Sequence, residues 1–152
     1  MFDNILVVCV GNICRSPTAE NLLRQHLQNA GKTSKTVKSA GLATESSKLA
    51  GNDMDDTARE VAQEQGVSCN THSATQLNSQ LVKWADLILV MEQGHKQELG
   101  FRYPAASGKT MLYGQWLSSN KEIPDPYRKS KEAFEHVYKQ LEKATQTWIE
   151  KL

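Results

Sequence analysis

No apolar run in the sequence approaches the roughly 20 residues that a membrane-spanning helix needs. The N-terminus, Met-Phe-Asp-Asn, has no basic segment, and Ile5–Val10 is too short for the core of a secretory signal. The expectation is a cytoplasmic protein without membrane insertion. An excess of one charge is missing too: 18 Lys and Arg stand against 17 Asp and Glu, a net +1 at pH 7. Nothing global directs such a chain to nucleic acid. Cysteine is scarce, 3 in 152 residues. That odd count gives no disulfide framework and fits a reducing compartment. Cys9 and Cys14 have no second pair to complete a zinc site, and His26, His72, His95 and His136 lack ligand spacing. No metal and no cofactor are expected. Linkers, repeats and low-complexity segments are absent, so residues 1–152 read as one domain, large enough for a core.

What the chain does hold is an alternation of apolar runs and amphipathic stretches. Ile5–Val8, ending in Cys9, and Asp86–Met91 read as buried strands. Shorter strands are predicted at 36–38 and 110–113, the first followed by a Ser39-Ala40-Gly41 turn and a loop over 42–52. Helical spacing covers 17–31, 53–65, 93–99 and 129–152, with a helical turn at 79–84. Residues 114–127 form a long connection, a type of segment that is often functional. The alternation predicts an α/β fold of three layers: a parallel sheet with helices on both faces. Such sheets bind ligands beyond the carboxyl ends of their strands, where Cys9, Gly41 and Glu92 all fall.

Residues 9–17, Cys-Val-Gly-Asn-Ile-Cys-Arg-Ser-Pro, read as strand end, tight loop and helix start, with Ser16 as cap and Pro17 in first helical position. Backbone N–H groups in such a loop, added to a helix N-terminus, favour an oxyanion. The Arg15 guanidinium can hold two phosphoryl oxygens in a planar fork. A thiol beside a helix N-terminus and an arginine is held as the nucleophilic thiolate. Gly11 and Asn12 tolerate the backbone angles that let successive N–H groups converge. Singly, Cys9 reads as a core thiol and Arg15 as a surface charge; together they point to phosphoryl transfer. That reaction needs an acid for its leaving group. Asp125, between Pro124 and Pro126, is the candidate; a turn aspartate before the last helix is the alternative. Ser107-Gly108-Lys109-Thr110 lacks the earlier glycine of a nucleotide loop and reads as a loop entering a strand. Trp84, Trp116 and Trp148 read as packing residues, Trp116 within the segment that carries the acid.

Val-Cys-Val-Gly-Asn-Ile-Cys-Arg-Ser-Pro (8–17), Ser-Ala-Gly (39–41), Leu-Ile-Leu-Val-Met-Glu (87–92) and Asp-Pro-Tyr (125–127) occur in this order. They resemble the low-molecular-weight protein tyrosine phosphatase family along nearly the whole chain, and its bacterial capsule and exopolysaccharide branch in particular. The resemblance implies a flavodoxin-like strand order 2-1-3-4, a phosphotyrosine protein substrate and a bacterial tyrosine autokinase as partner. It implies a monomer or weak dimer. By the same resemblance Cys9 forms a cysteinyl phosphate, Arg15 binds the phosphate, and Asp125 serves as acid and then base. Val10, Gly11, Asn12, Ile13, Cys14 and Ser16 complete the phosphate loop. Ser16 bonds the Cys9 sulfur, Ser39 and His72 support a left-handed Asn12, Glu92 orients Arg15, and Tyr127 forms one cleft wall. Eukaryotic relatives carry an aromatic residue after Ser-Ala-Gly and a second tyrosine after Asp-Pro-Tyr. Residues 42–52 hold no aromatic, which makes Leu42 the expected opposite wall. Arg128 and Lys129 give a basic rim suited to acidic or multiply phosphorylated tails. Cys14 is either a disulfide partner of Cys9 or a packing residue. Arsenate reductase shares the loop but needs resolving cysteines, and only Cys69 lies outside it. A non-catalytic phosphotyrosine-binding module is disfavoured by the joint presence of Cys9, Arg15 and Asp125.

Overall fold

Two continuous apolar runs, each able to bury both faces, lie side by side at the centre of the molecule. The computed structural model describes residues 2–118 and 121–152. β1 (Asn4–Cys9) leads to α1 (Arg15–Asn29), β2 (Thr36–Gly41), α2 (Asp56–Glu64) and α3 (Ser79–Trp84). Then follow β3 (Leu87–Val90), α4 (Gln93–Arg102), a short 3-10 helix (Pro104–Lys109), β4 (Thr110–Leu112) and α5 (Lys131–Lys151). The strands form one sheet in the order β2-β1-β3-β4, all parallel, as expected. Val8 of β1 lies beside Ala40 of β2 on one side and Val90 of β3 on the other.

Strand alternation sorts the side chains into two cores. Ile5, Val7, Cys9, Leu87 and Leu89 face α1, α2 and α5, where Leu22, Leu23, Val61, Phe134 and Trp148 meet them. Leu6, Val8, Ala40, Ile88 and Val90 face Val82 and Leu99 of α3 and α4 and Ala106 of the 3-10 helix. Each of the Leu, Ile, Val and Phe side chains among them contributes about 1.5–3 kcal/mol by leaving water. The longest helix, α5, is clamped to the end of β4. The Tyr113 and Thr145 hydroxyls lie 2.5 Å apart, and Trp148 Nε1 donates to the Tyr113 carbonyl at 2.7 Å. Trp116 rests edge-on against Trp148, with centroids 5.8 Å apart, and the Lys151 ammonium lies 4.4 Å from its ring. Among the described residues, no helix is long and apolar enough to cross a membrane.

Several boundaries differ from the sequence expectation. β2 continues through Ser39-Ala40-Gly41, because these small residues pair with β1 as far as Cys9 instead of turning. α1 starts at Arg15, and its N-cap position makes no side-chain cap; Ser16 lies inside the helix, its hydroxyl spent elsewhere. α2 starts at Asp56 because Asp55 accepts from the N–H groups of Thr57 and Ala58. Asp53 instead receives Arg59 Nη2 at 2.6 Å. Lys109 donates to the carbonyls of Val82 and Ala85, so the Ser107–Thr110 stretch is structural. In the long connection, residues 119 and 120 lie outside the described residues.

Candidate active site

The loop after β1 turns its carbonyl oxygens outward. The N–H groups of Leu42 and Ala43 donate to the carbonyls of Cys9 and Val10, each at 2.9 Å. Thr44 Oγ1 donates to the Gly11 carbonyl at 3.0 Å, His72 Nε2 to that of Asn12 at 2.7 Å, and the Asp55 N–H to that of Ile13 at 2.8 Å. A trans peptide points its N–H opposite to its C=O. The N–H groups of Val10 through Cys14 therefore turn inward. One of them, that of Asn12, reaches Cys9 Sγ at 3.3 Å.

Asn12 makes this possible with φ +63°, a left-handed conformation that asparagine adopts more readily than most residues. Its side chain is fully buried and fully used. Nδ2 donates to Ser16 Oγ at 2.7 Å and to Ser39 Oγ at 3.0 Å, and Oδ1 accepts from the Thr75 N–H at 2.9 Å. Ser16 Oγ in turn lies 3.0 Å from Cys9 Sγ. This explains the missing cap: the serine hydroxyl serves the sulfur. Gly41 admits the close approach of β2 to the loop. A Cβ there would stand 2.0 Å from Thr44 Oγ1 and 2.6 Å from the Val10 carbonyl.

Arg15 is only 2% exposed, and its charge is answered at several points. Nη1 donates to Glu92 Oε2 at 2.5 Å and to the Ile123 carbonyl at 2.9 Å; Nη2 lies 3.8 Å from Asp125 Oδ2. Truncating one partner of such a buried charge is costly. Glu92 stands in the cap position of α4 but makes no cap hydrogen bond; its carboxylate goes to Arg15. Ile123 is buried and also donates its N–H to the Met91 carbonyl at 2.9 Å, which ties the acid-bearing segment to the end of β3. Asp125 remains 48% exposed, and its Oδ1 accepts from the Tyr127 N–H at 3.0 Å.

These groups surround a cleft of about 280 Å³. Its floor is the loop, with Cys9, Gly11, Ile13 and Arg15. Asp125, Tyr127 and Arg128 border one side, Ser47 and Leu49 the other. The Arg128 guanidinium sits 5.2 Å from the centre of the Tyr127 ring. Leu42 is not a wall. It is 3% exposed and buried with Ala40 in the α3–α4 core, because residues 40 and 42 share strand parity and point away from the cleft. Leu49 takes that place, seated on Gly11, where a Cβ would meet its Cδ1 at 2.8 Å. A second leucine in an otherwise small and polar loop is its only sequence signal. Glu20 was also missed; its Oε1 accepts from the Ser39 hydroxyl at 2.5 Å. Cys14 is buried, and burial first, then the Asp55 charge, push its thiol far above the ordinary 9.0. Cys9, Cys14 and Cys69 are all free thiols.

Inward N–H groups, a buried guanidinium and a thiol at their focus suit a tetrahedral oxyanion. Residues 4–152 match the low molecular weight phosphotyrosine protein phosphatase family. The chain is 48% identical to the low molecular weight protein-tyrosine-phosphatase Etp of Escherichia coli K12 over 151 residues, covering 99% of this chain and 95% of that protein. Vibrio vulnificus Wzb, solved in complex with benzylphosphonate, superposes with a TM-score of 0.93 at 51% identity over the full length of both chains. The tyrosine phosphatase AmsI of Erwinia amylovora gives a TM-score of 0.91 at 46% identity, covering 100% of this chain and 94% of that one. Sequence, sheet order and loop agree with this kinship, and the chain belongs to the low molecular weight protein tyrosine phosphatases.

Proposed function

We propose that the chain hydrolyses protein phosphotyrosine in two steps on a cysteinyl phosphate. The Cys9 thiolate attacks phosphorus, and the bond to the tyrosyl oxygen breaks. Asp125 gives that oxygen its proton, so tyrosine leaves neutral. Water then attacks phosphorus while Asp125 takes a proton from it, and the phosphorus–sulfur bond breaks as the new phosphorus–oxygen bond forms. Inorganic phosphate departs, and the electron pair returns to Cys9 sulfur, where the Ser16 hydroxyl and the Asn12 N–H receive it. Arg15 and the inward N–H groups hold the three non-bridging oxygens throughout. Glu92 orients Arg15, and Ser39 and His72 hold Asn12. Tyr127 and Leu49 enclose the substrate ring.

The observation that carries this reading is the environment of Cys9 Sγ: two hydrogen-bonding groups at 3.0 and 3.3 Å on the floor of a cleft shared with Arg15 and Asp125. The reading extends to a cytoplasmic, single-domain enzyme, monomeric or weakly dimeric. Its substrate is the phosphotyrosine tail of a bacterial autokinase of polysaccharide export. The kinship with Etp, Wzb and AmsI supports a bacterial protein substrate, and the exposed Arg128 and Lys129 support an acidic or multiply phosphorylated one. Arsenate reduction fits less well, since Cys69, the only cysteine outside the loop, is not among the residues lining the cleft. Incubation with a phosphotyrosine peptide, a phosphoserine peptide and arsenate tests the reading. Phosphotyrosine turnover that survives EDTA and vanishes in Cys9→Ser is expected; turnover retained by Cys9→Ser removes Cys9 from the role of nucleophile.

A further inference from the structure

The hydrogen bonds behind the loop have a direction, and it is set from outside the loop. An ionised carboxylate can only accept. Glu20, on α1, accepts from the Ser39 hydroxyl at 2.5 Å. With its one proton held on Glu20, the Ser39 hydroxyl is fixed in rotation and turns its lone pairs to Asn12, whose donor-only Nδ2 gives it a hydrogen at 3.0 Å. Asn12 gives its second Nδ2 hydrogen to Ser16 Oγ at 2.7 Å. The Ser16 proton is left for Cys9 Sγ, 3.0 Å away. This assignment gives every hydrogen in the chain one acceptor. We propose that Glu20 is a positioning residue for the nucleophile: acting through Ser39, Asn12 and Ser16, its carboxylate aims a hydroxyl proton at the Cys9 sulfur.

Glu20 is built into that place. Its side chain is 16% exposed, and Oε2 accepts from Arg24 Nη2 at 2.5 Å. The same nitrogen donates to the Val37 carbonyl at 3.0 Å, which fixes the arginine against β2. Because Arg24 offsets the charge of Glu20, hydrogen-bond direction reaches Cys9 and a net field does not. Lys38 and His72 border the same shallow groove as Glu20. His72 reaches Asn12 by its backbone carbonyl, a separate tie. Two contacts therefore lock the Asn12 amide: the Thr75 N–H on Oδ1 and the Glu20-directed Ser39 on Nδ2. Without Glu20 the Ser39 hydroxyl is free to rotate, one lock is lost, and hydrogen bonds in the chain cease to polarise one another.

The inference rests on Cys9 being the nucleophile, and alkylation of Cys9 by iodoacetate, followed by mass spectrometry, reads the thiolate without any turnover. Glu20→Ala is expected to slow both alkylation at mildly acidic pH and p-nitrophenyl phosphate turnover roughly three- to tenfold, the size of one net hydrogen bond. Glu20→Gln, a neutral acceptor of the same shape, restores both to within about twofold. Ser39→Ala is at least as slow as Glu20→Ala, and the double variant is no slower than Ser39→Ala, as two links of one chain require. Glu20→Met keeps the side-chain volume without an acceptor and repeats the Ala result, which separates lost direction from a lost fold. Unchanged alkylation in Glu20→Ala and Glu20→Met, equal impairment in Glu20→Gln, or additive effects with Ser39→Ala overturn the relay. A parent chain that shows this alkylation pattern but turns over no aryl phosphate overturns the phosphatase reading and leaves the relay standing.

Discussion

Asp125 is the most exposed of the three residues assigned to the chemistry, and the fold holds it by its neighbours. Ile123 and Pro126 are buried on either side, and the Tyr127 N–H orients one carboxylate oxygen. Asp125→Ala is expected to slow phosphotyrosine hydrolysis by roughly 10²–10⁴. The loss should shrink for aryl phosphates whose leaving groups need no proton, such as highly nitrated phenols. A loss independent of leaving group would assign Asp125 to binding instead. At this scale the sequence was legible where chemistry is contiguous. Cys9, Asn12, Arg15 and Ser16 lie within one turn of loop and helix, so their types and spacing carry the message. Leu49 and Glu20 were not legible, because their roles depend on which strand and helix the fold brings beside the loop.

Elements were legible where burial dictates composition. β1 and β3 are covered on both faces, and their unbroken apolar runs announced it. β2 is longer than its sequence predicts, because Ser39-Ala40-Gly41 has the composition of a turn and its pairing with β1 is non-local information. Once β2 extends to Gly41, strand parity puts Leu42 on the face of Ala40, away from the cleft, and that parity is not visible in the loop's composition. α1 starts earlier than Ser-Pro predicts, because that pair is a capping signal, whereas here the serine answers a sulfur. The end of β2 also supplies a test of how tightly sheet and loop are joined. Gly41→Ala drives a methyl group into Thr44 Oγ1 and the Val10 carbonyl. Overpacking of this kind costs about 1–3 kcal/mol. Denaturant unfolding should show that loss, with a fall in turnover, because the displaced backbone carries the loop. A fully stable, fully active variant would mean that β2 and the loop part easily.

For the whole molecule, three buried acids, Cys14, Tyr113 and Tyr138, link stability to alkaline pH. Burial raises the pKa of Cys14 and Tyr113, and burial with the Glu142 charge raises that of Tyr138. Unfolded, these groups lose protons near the ordinary 9.0 for cysteine and 10.0 for tyrosine. The native state thus binds more protons than the unfolded state above these values, and stability falls as pH rises. Below about pH 9 the contribution is fully present; it is lost progressively above that. The melting temperature should therefore drop steeply on the alkaline side, and Tyr113→Phe should flatten that slope. An unchanged slope in Tyr113→Phe would locate the titration elsewhere.

The edge-on contact of Trp116 with Trp148 gives the molecule an optical property of its own. Two indoles with centroids 5.8 Å apart and planes at 71° couple their transitions. One of them sits at the base of the segment that carries Asp125; the other belongs to α5 and is buried in the main core. Their exciton band in circular dichroism is expected to vanish in Trp116→Phe and in Trp148→Phe alike, and to persist in Trp84→Phe. A denaturant titration followed at that band, beside one followed at the helical signal, then reports whether the acid segment lets go before the sheet does. The chain carries a gauge of how that segment is seated on α5 that needs neither substrate nor label.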